Sequence, residues 1–431
     1  MKHKNFRPMR CLLALALIAV SSLALADKYA LSHVRIVNPG GATIDDGLIS
    51  IDGDKITYSG AYKDPDGGST VVDCKGLTAY PGFIDAYTRS GLSLPSIPKN
   101  PDPPSAVDGP LPEMWHANRR GIYADTDCSQ HLSIKSMVDT AHQQGVTTAM
   151  LASGRGGFGG TTAVVNTTEA DGETLVMPEA FQELSFGSSG GVGYPSSPMG
   201  RIALLRQVFY DSKFYTLHPP KEEKERDPVL AAVAEAATGL VRTLFEADSE
   251  REIQRAFDIT DEFNLKTTLF GTTDAWQHAD DINRRGMGVI VVAELPREPR
   301  KTQNDDPVRR LSDPPLAVLE DRWNTWQDEA QAVVKLQKAG VKFAFSSNGS
   351  SSDFLANVRK QIEVGLPEDA ALRALTVDAA TILGVGDKVG TLAPGRLANV
   401  TVTDGDFADP KTKVKFVFVA GQKSEVAKEG N

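Results

Sequence analysis

Apolar positions divide the chain into two strand-rich ends and an alternating middle. Residues 34–37, 48–51 and 55–58 are short apolar or alternating runs, the last two joined across Asp52-Gly53-Asp54, a hairpin signal. Residues 71–73 lead into Ala79-Tyr80-Pro81-Gly82-Phe83-Ile84-Asp85-Ala86-Tyr87-Thr88-Arg89, a turn and then a short strand with Asp85, Tyr87 and Arg89 at period two. Residues 397–403 and 414–419 repeat the strand pattern at the far end. Neither end has enough strands alone, so the pattern predicts one small β domain assembled from both.

Between the ends, strands are predicted at 146–151, 240–245, 265–270, 288–293 and 341–345. Helices are predicted at 133–144, 200–214, 228–237, 249–263, 274–284, 322–338, 354–364 and 367–383. Ile202, Leu205, Val208 and Phe209 form a helical stripe, the mark of a core face. Residues 90–112 are irregular and Pro-rich, and 296–315 form a polar loop. This alternation argues for a parallel sheet, nearer a barrel than an open sheet. Residues 154–159 match G-x-G-x-x-G, but 161–167 read as strand, so a hairpin is expected there rather than a dinucleotide site.

The N-terminus changes the picture. Lys2, Lys4, Arg7 and Arg10 precede an apolar run at 12–20 and the small-x-small sequence Ala24-Leu25-Ala26. This is the pattern of an export signal cleaved after Ala26, with an uncleaved anchor as the other reading. Periplasmic or secreted location is therefore expected, with no membrane association after cleavage. Cleavage would take the formal charge from −10 to −14, which leaves no basic stripe for nucleic acid. Cys74 and Cys128 would remain, either as a disulfide or as small buried residues.

The stretch from Pro81 to Arg89 resembles the first barrel strand of the amidohydrolase superfamily, which reads Pro-Gly-(apolar)-Ile-Asp-x-His-x-His. Residues 365–376, Ala380-Thr381-Ile382-Leu383-Gly384 and 389–399 resemble its closing signature, with Asn399 where Asp is usual. Gly145-Val146-Thr147-Thr148, residues 193–207 and residues 116–122 are similar to an exported, imidazolonepropionase-like branch. The resemblance implies an α/β fold: a TIM-like (β/α) barrel of the metal-dependent hydrolase type at 81–388. A composite β-sandwich would be formed by 27–80 and 389–431, behind a signal peptide at 1–26. The implied reaction is hydrolysis of carbon–nitrogen, non-peptide bonds in small amides or cyclic amides, with zinc as the family's cofactor.

The positions that would hold that metal carry other residues. Tyr87 and Arg89 replace the two histidines; neutral tyrosine is a poor ligand, and arginine is a cation where the metal belongs. Glu246 follows one middle strand, Gly271 the next, and the last strand ends Ser346-Ser347-Asn348 where Asp is usual. His33, His116, His131, His142, His218 and His278 show no ligand-like spacing, so no metal site is predicted. The candidate catalytic residues are Asp85 and Glu246 as bases and Arg89 as oxyanion partner, with an Asp85–Arg89 ion pair in place of the missing cation. Tyr87, Asn348, His116, Arg119 and Arg120 are candidates for binding a small amide or anion. Two readings stand: a rearranged hydrolase, or a non-catalytic relative that binds a small molecule, self-associates or supports an active paralogue.

Overall fold

The computed structural model describes residues 28–96, 121–170, 172–187, 194–222, 226–271, 273–299 and 314–426. The expected signal segment and His116, Arg119 and Arg120 lie outside the described residues.

At the N-terminal end, β1 (Lys28–Ile36), β2 (Ile44–Asp52) and β3 (Lys55–Ala61) pair antiparallel in sequence, with Gly53 at φ 59° in the hairpin. The first strand starts earlier than the 34–37 run suggests. His33 at φ 55° makes a bulge there, which shifts the register and brings both Leu31 and Val34 into the core. Strands β4 (Thr70–Asp73) and β5 (Thr78–Pro81) run parallel to β1.

The body opens with β6 (Phe83–Thr88), buried on both faces. A Cβ at Gly82 would collide with Thr147, so only glycine lets this strand lie so close to its neighbour. Helix α1 (Lys135–Gln143) leads through Gly145, at φ 74°, into β7 (Val146–Leu151). Strands β8 (Phe158–Thr161) and β9 (Ala163–Asn166) do not form the expected hairpin. Thr162 donates its N–H to Phe181 O and accepts from Ala180 N, which keeps the chain extended as it passes from one sheet to another. Strand β10 (Leu175–Met177) completes a sheet ordered β10-β9-β7-β6.

The other sheet contains β8, β11 (Phe181–Ser185), β12 (Arg242–Ala247), β13 (Thr267–Gly271), β14 (Val289–Val292) and β15 (Phe343–Ser346), parallel from β11 onward. Helices α2 (Pro198–Leu217) and α3 (Pro228–Thr238) start on capping Ser197 and Asp227, each followed by proline. Helix α4 (Glu250–Phe263) has a Ser249–Glu252 capping box and stops at left-handed Asn264. Helix α5 (Ala279–Arg285) ends at Gly286. The helix expected at 322–338 begins earlier and divides into α6 (Leu316–Ala330) and α7 (Ala332–Lys338). After α8 (Phe354–Glu363), the helix expected at 367–383 is likewise two, α9 (Glu368–Leu375) and α10 (Val377–Leu383). Thr376 leaves helical geometry between them, its hydroxyl bonded back to Leu372 O.

The expected single barrel ladder is here two hydrogen-bonded sheets. Their edges meet at Tyr87 O, which accepts from Ser346 Oγ over 2.9 Å and from the Asn348 backbone N–H over 3.2 Å. At the C-terminal end, β16 (Val400–Thr403), β17 (Val414–Val419) and β18 (Gln422–Glu425) join β5, so both ends of the chain build one eight-stranded sheet. Buried Asn399 fastens it to the body, donating to Thr148 Oγ1 and Asn166 Oδ1 and accepting from Ala420 N. Cys74 and Cys128 are both buried free thiols, so the disulfide alternative is not formed. Among the described residues, no helix is long and apolar enough to cross a membrane.

Candidate functional site

At the C-terminal ends of β6, β11 and β12, Tyr87, Glu183 and Glu246 converge, with Arg89 just beyond β6. Glu183 is the centre of this cluster. Its Oε2 accepts from Ser153 N over 2.8 Å and from Ser153 Oγ over 2.7 Å, and its Oε1 accepts from Gly154 N and from Tyr87 Oη, each over 3.2 Å. Burial still outweighs these bonds and pushes the Glu183 carboxyl up to about 7. Glu246 is raised as well, chiefly by burial, with the Arg89 guanidinium opposing the shift. Burial and the neighbouring Glu183 charge hold the Tyr87 phenol well above its ordinary value, so it stays a neutral donor. Phe270 stacks on the Tyr87 ring with centroids 3.8 Å apart. The space left among Tyr87, Glu183, Glu246 and Phe270 is about 10 Å³, room for no more than a water.

Asp85 takes another direction. It accepts from Ser347 N over 2.9 Å, from Ser347 Oγ over 2.5 Å and from Tyr87 N over 3.3 Å. These bonds tie β6 to the end of β15, and burial raises the carboxyl to about 6. The expected Asp85–Arg89 ion pair is therefore corrected: the carboxylates acting on Arg89 are Glu246 and Glu183. Asp85 does not line the space between the other groups. Asn348 is exposed, at φ 45°, and contributes its backbone N–H to the seam.

Glu183 is the residue the sequence reading missed. The alternation Phe181-Gln182-Glu183-Leu184-Ser185 is a strand signal, but its five residues sit inside a long polar stretch. Of the histidines, His142 is a satisfied buried residue, its ring nitrogens 2.9 Å from Ser424 Oγ and 2.8 Å from Thr167 O.

Comparison with known proteins bears on this geometry. Residues 288–430 match the model of the Amidohydrolase family. An amidohydrolase structure from Thermotoga maritima is similar over 92% of this chain and 99% of that chain, with TM-score 0.74 and 18% identity. A prolidase complexed with N-methylphosphonate-L-proline is 16% identical, with TM-score 0.55, over 92% of this chain and 99% of that one. A molinate hydrolase is 12% identical, with TM-score 0.55, over 93% and 95%. No curated protein sequence matches the chain. The structural likenesses show the fold, and with the family match they support the amidohydrolase superfamily.

Among the described residues, the positions that would hold the metal implied by the family resemblance do not supply a fitting donor set. A divalent ion needs convergent imidazole, thiolate or carboxylate donors. Here a neutral phenol and a guanidinium stand at the paired-histidine positions, and Ser346 ends the last strand. Among the described residues, no three His, Cys, Asp or Glu side chains are grouped to hold an ion.

Proposed function

We propose that this chain is an exported, imidazolonepropionase-like member of the amidohydrolase superfamily that no longer hydrolyses through a bound metal. Its inherited reaction class is the cleavage of carbon–nitrogen, non-peptide bonds in small amides and cyclic amides. The two sheets correspond, on this reading, to the superfamily's (β/α) barrel, and the N-terminal segment to its export signal. What remains is a non-catalytic relative that binds a small molecule or partners an active paralogue.

One observation carries the reading. Among the described residues, Tyr87, Glu183, Glu246 and Phe270 fill the space at these strand ends with the chain's own side chains, leaving about 10 Å³. A substrate amide and an attacking water would need far more room. Arg89 is exposed at the mouth and would be the group a small anion or amide meets first.

The test is metal analysis of protein purified in zinc-supplemented medium, followed by turnover on hydantoin, lactam and N-acyl-amino-acid panels. The expected result is sub-stoichiometric metal and no turnover. Stoichiometric zinc with chelator-sensitive hydrolysis would overturn the reading.

A second reading has one observation in its favour: the raised carboxyl of Glu246 lies beside the Arg89 guanidinium. That pairing suits a metal-free hydrolase with Glu246 as base and Arg89 stabilising the oxyanion. It requires turnover that survives chelation and is lost in Glu246→Gln.

A further inference from the structure

The opposite end of the parallel strands carries a much larger space. A cavity of about 620 Å³ opens at the N-terminal ends of β12 to β15, where Arg242, Lys266, Gly288 and Lys342 enter their strands. That volume lies in the range of small-molecule sites. Its polar wall holds Arg242, Lys266, Arg285 and Lys342 against a single carboxylate, Asp261, a formal surplus of three positive charges in a chain of net charge −10. Met287 and Ile382 add an apolar side.

Part of that charge has a structural account. Helices α4 and α5 end against the cavity at Asn264 and Gly286, the last turn of α10 reaches it at Thr381 and Ile382, and each helix C-terminus carries about half a negative charge. Arg285 is also neutralised by Asp261 at 2.8 Å and Asp281 at 2.9 Å. Arg242 is different. It is half-buried, and this partial withdrawal from water lowers its affinity for the proton. Its guanidinium donates to the carbonyls of Ile382 over 2.8 Å and Leu383 over 2.6 Å and lies over the Phe181 ring. Among the described residues, no carboxylate pairs with it. Buried charges are ordinarily matched by an opposite charge, and two carbonyls use only two of five N–H donors.

We propose that this cavity is a binding site for a small organic anion bearing carboxylate or phosphate groups. Half-buried Arg242 supplies the inner counter-charge, and Lys342 and Lys266, whose Nζ donates to Gly239 O over 3.2 Å, supply charge at the exposed rim. The site is independent of the Tyr87–Glu183 cluster, which lies at the other end of the strands.

Isothermal titration of the full chain with citrate and with inorganic phosphate tests it, the two probes separating carboxylate from phosphate preference. At least one should bind with Kd below about 1 mM, and Lys266→Ala/Lys342→Ala should weaken it about tenfold or more. Both lysines are exposed, so this variant should keep the wild-type circular dichroism spectrum. Should it not, the single Lys342→Glu variant carries the same expectation. No binding of either probe by the wild type, or undiminished binding in the lysine variants, would overturn the proposal.

Discussion

Tyr87 on β6 donates its hydroxyl hydrogen to Glu183 on β11, 96 residues away, over 3.2 Å. The bond joins the two sheets through the middle of the body and gives a buried carboxyl one of its donors. Tyr87→Phe removes that donor and keeps the ring stacked on Phe270. Equilibrium urea unfolding should show a loss of about 1–2 kcal/mol. An unchanged midpoint would mean the bond contributes nothing.

Glu183 and Asp85 make stability depend on pH. Both carboxyls are raised in the folded chain, to about 7 from 4.5 and to about 6 from 3.8. The native state therefore holds more protons than the unfolded state between these values. The stability they contribute is complete below about pH 4 and is lost as pH rises through 6 and 7. Glu183→Gln should remove its share, at most a few kcal/mol. Relative to the wild type, the variant should gain stability as pH goes from 5 to 8, as urea titrations at the two values will show. A constant difference would contradict a raised Glu183.

Arg89→Met withdraws the cation between Glu246 and Glu183. Both carboxyls should then be harder to ionise. The loss of stability should be about 1 kcal/mol or less at pH 8, since Arg89 is exposed and its attraction is screened, and smaller at pH 5. Thermal unfolding at the two pH values distinguishes this from a packing effect, which would be equal at both.

Asn399→Asp introduces the residue usual in the closing signature that this stretch resembles and should still destabilise. The Asn399 amide faces Asn166 Oδ1 at 2.8 Å, and Asn166 is oriented by its own bond to Glu173 O. A carboxylate there would set oxygen against oxygen in a buried site, at about 2–4 kcal/mol. Urea unfolding reads the loss, and a stability equal to wild type would show that the network rearranges freely.

The sequence by itself determined the alternating α/β body, the joint construction of the terminal sheet and the absence of the paired histidines. Those features live in local periodicity and in residue identity, which can be read without knowing what touches what. It also grouped Asp85, Tyr87, Arg89, Glu246 and Asn348 at the strand ends, without showing which of them would meet. Tertiary structure decided the rest. Asp85 and Arg89 sit at period two on one strand, yet Asp85 turns to Ser347, 262 residues away, because that backbone N–H and hydroxyl need a buried acceptor. Glu183 became the hub only when β11 packed beside β12 and brought Ser153, Gly154 and Tyr87 to its oxygens. Spacing along a chain fixes which side chains share a face. Which charge meets which partner depends on contacts between distant segments, and these exist only after folding.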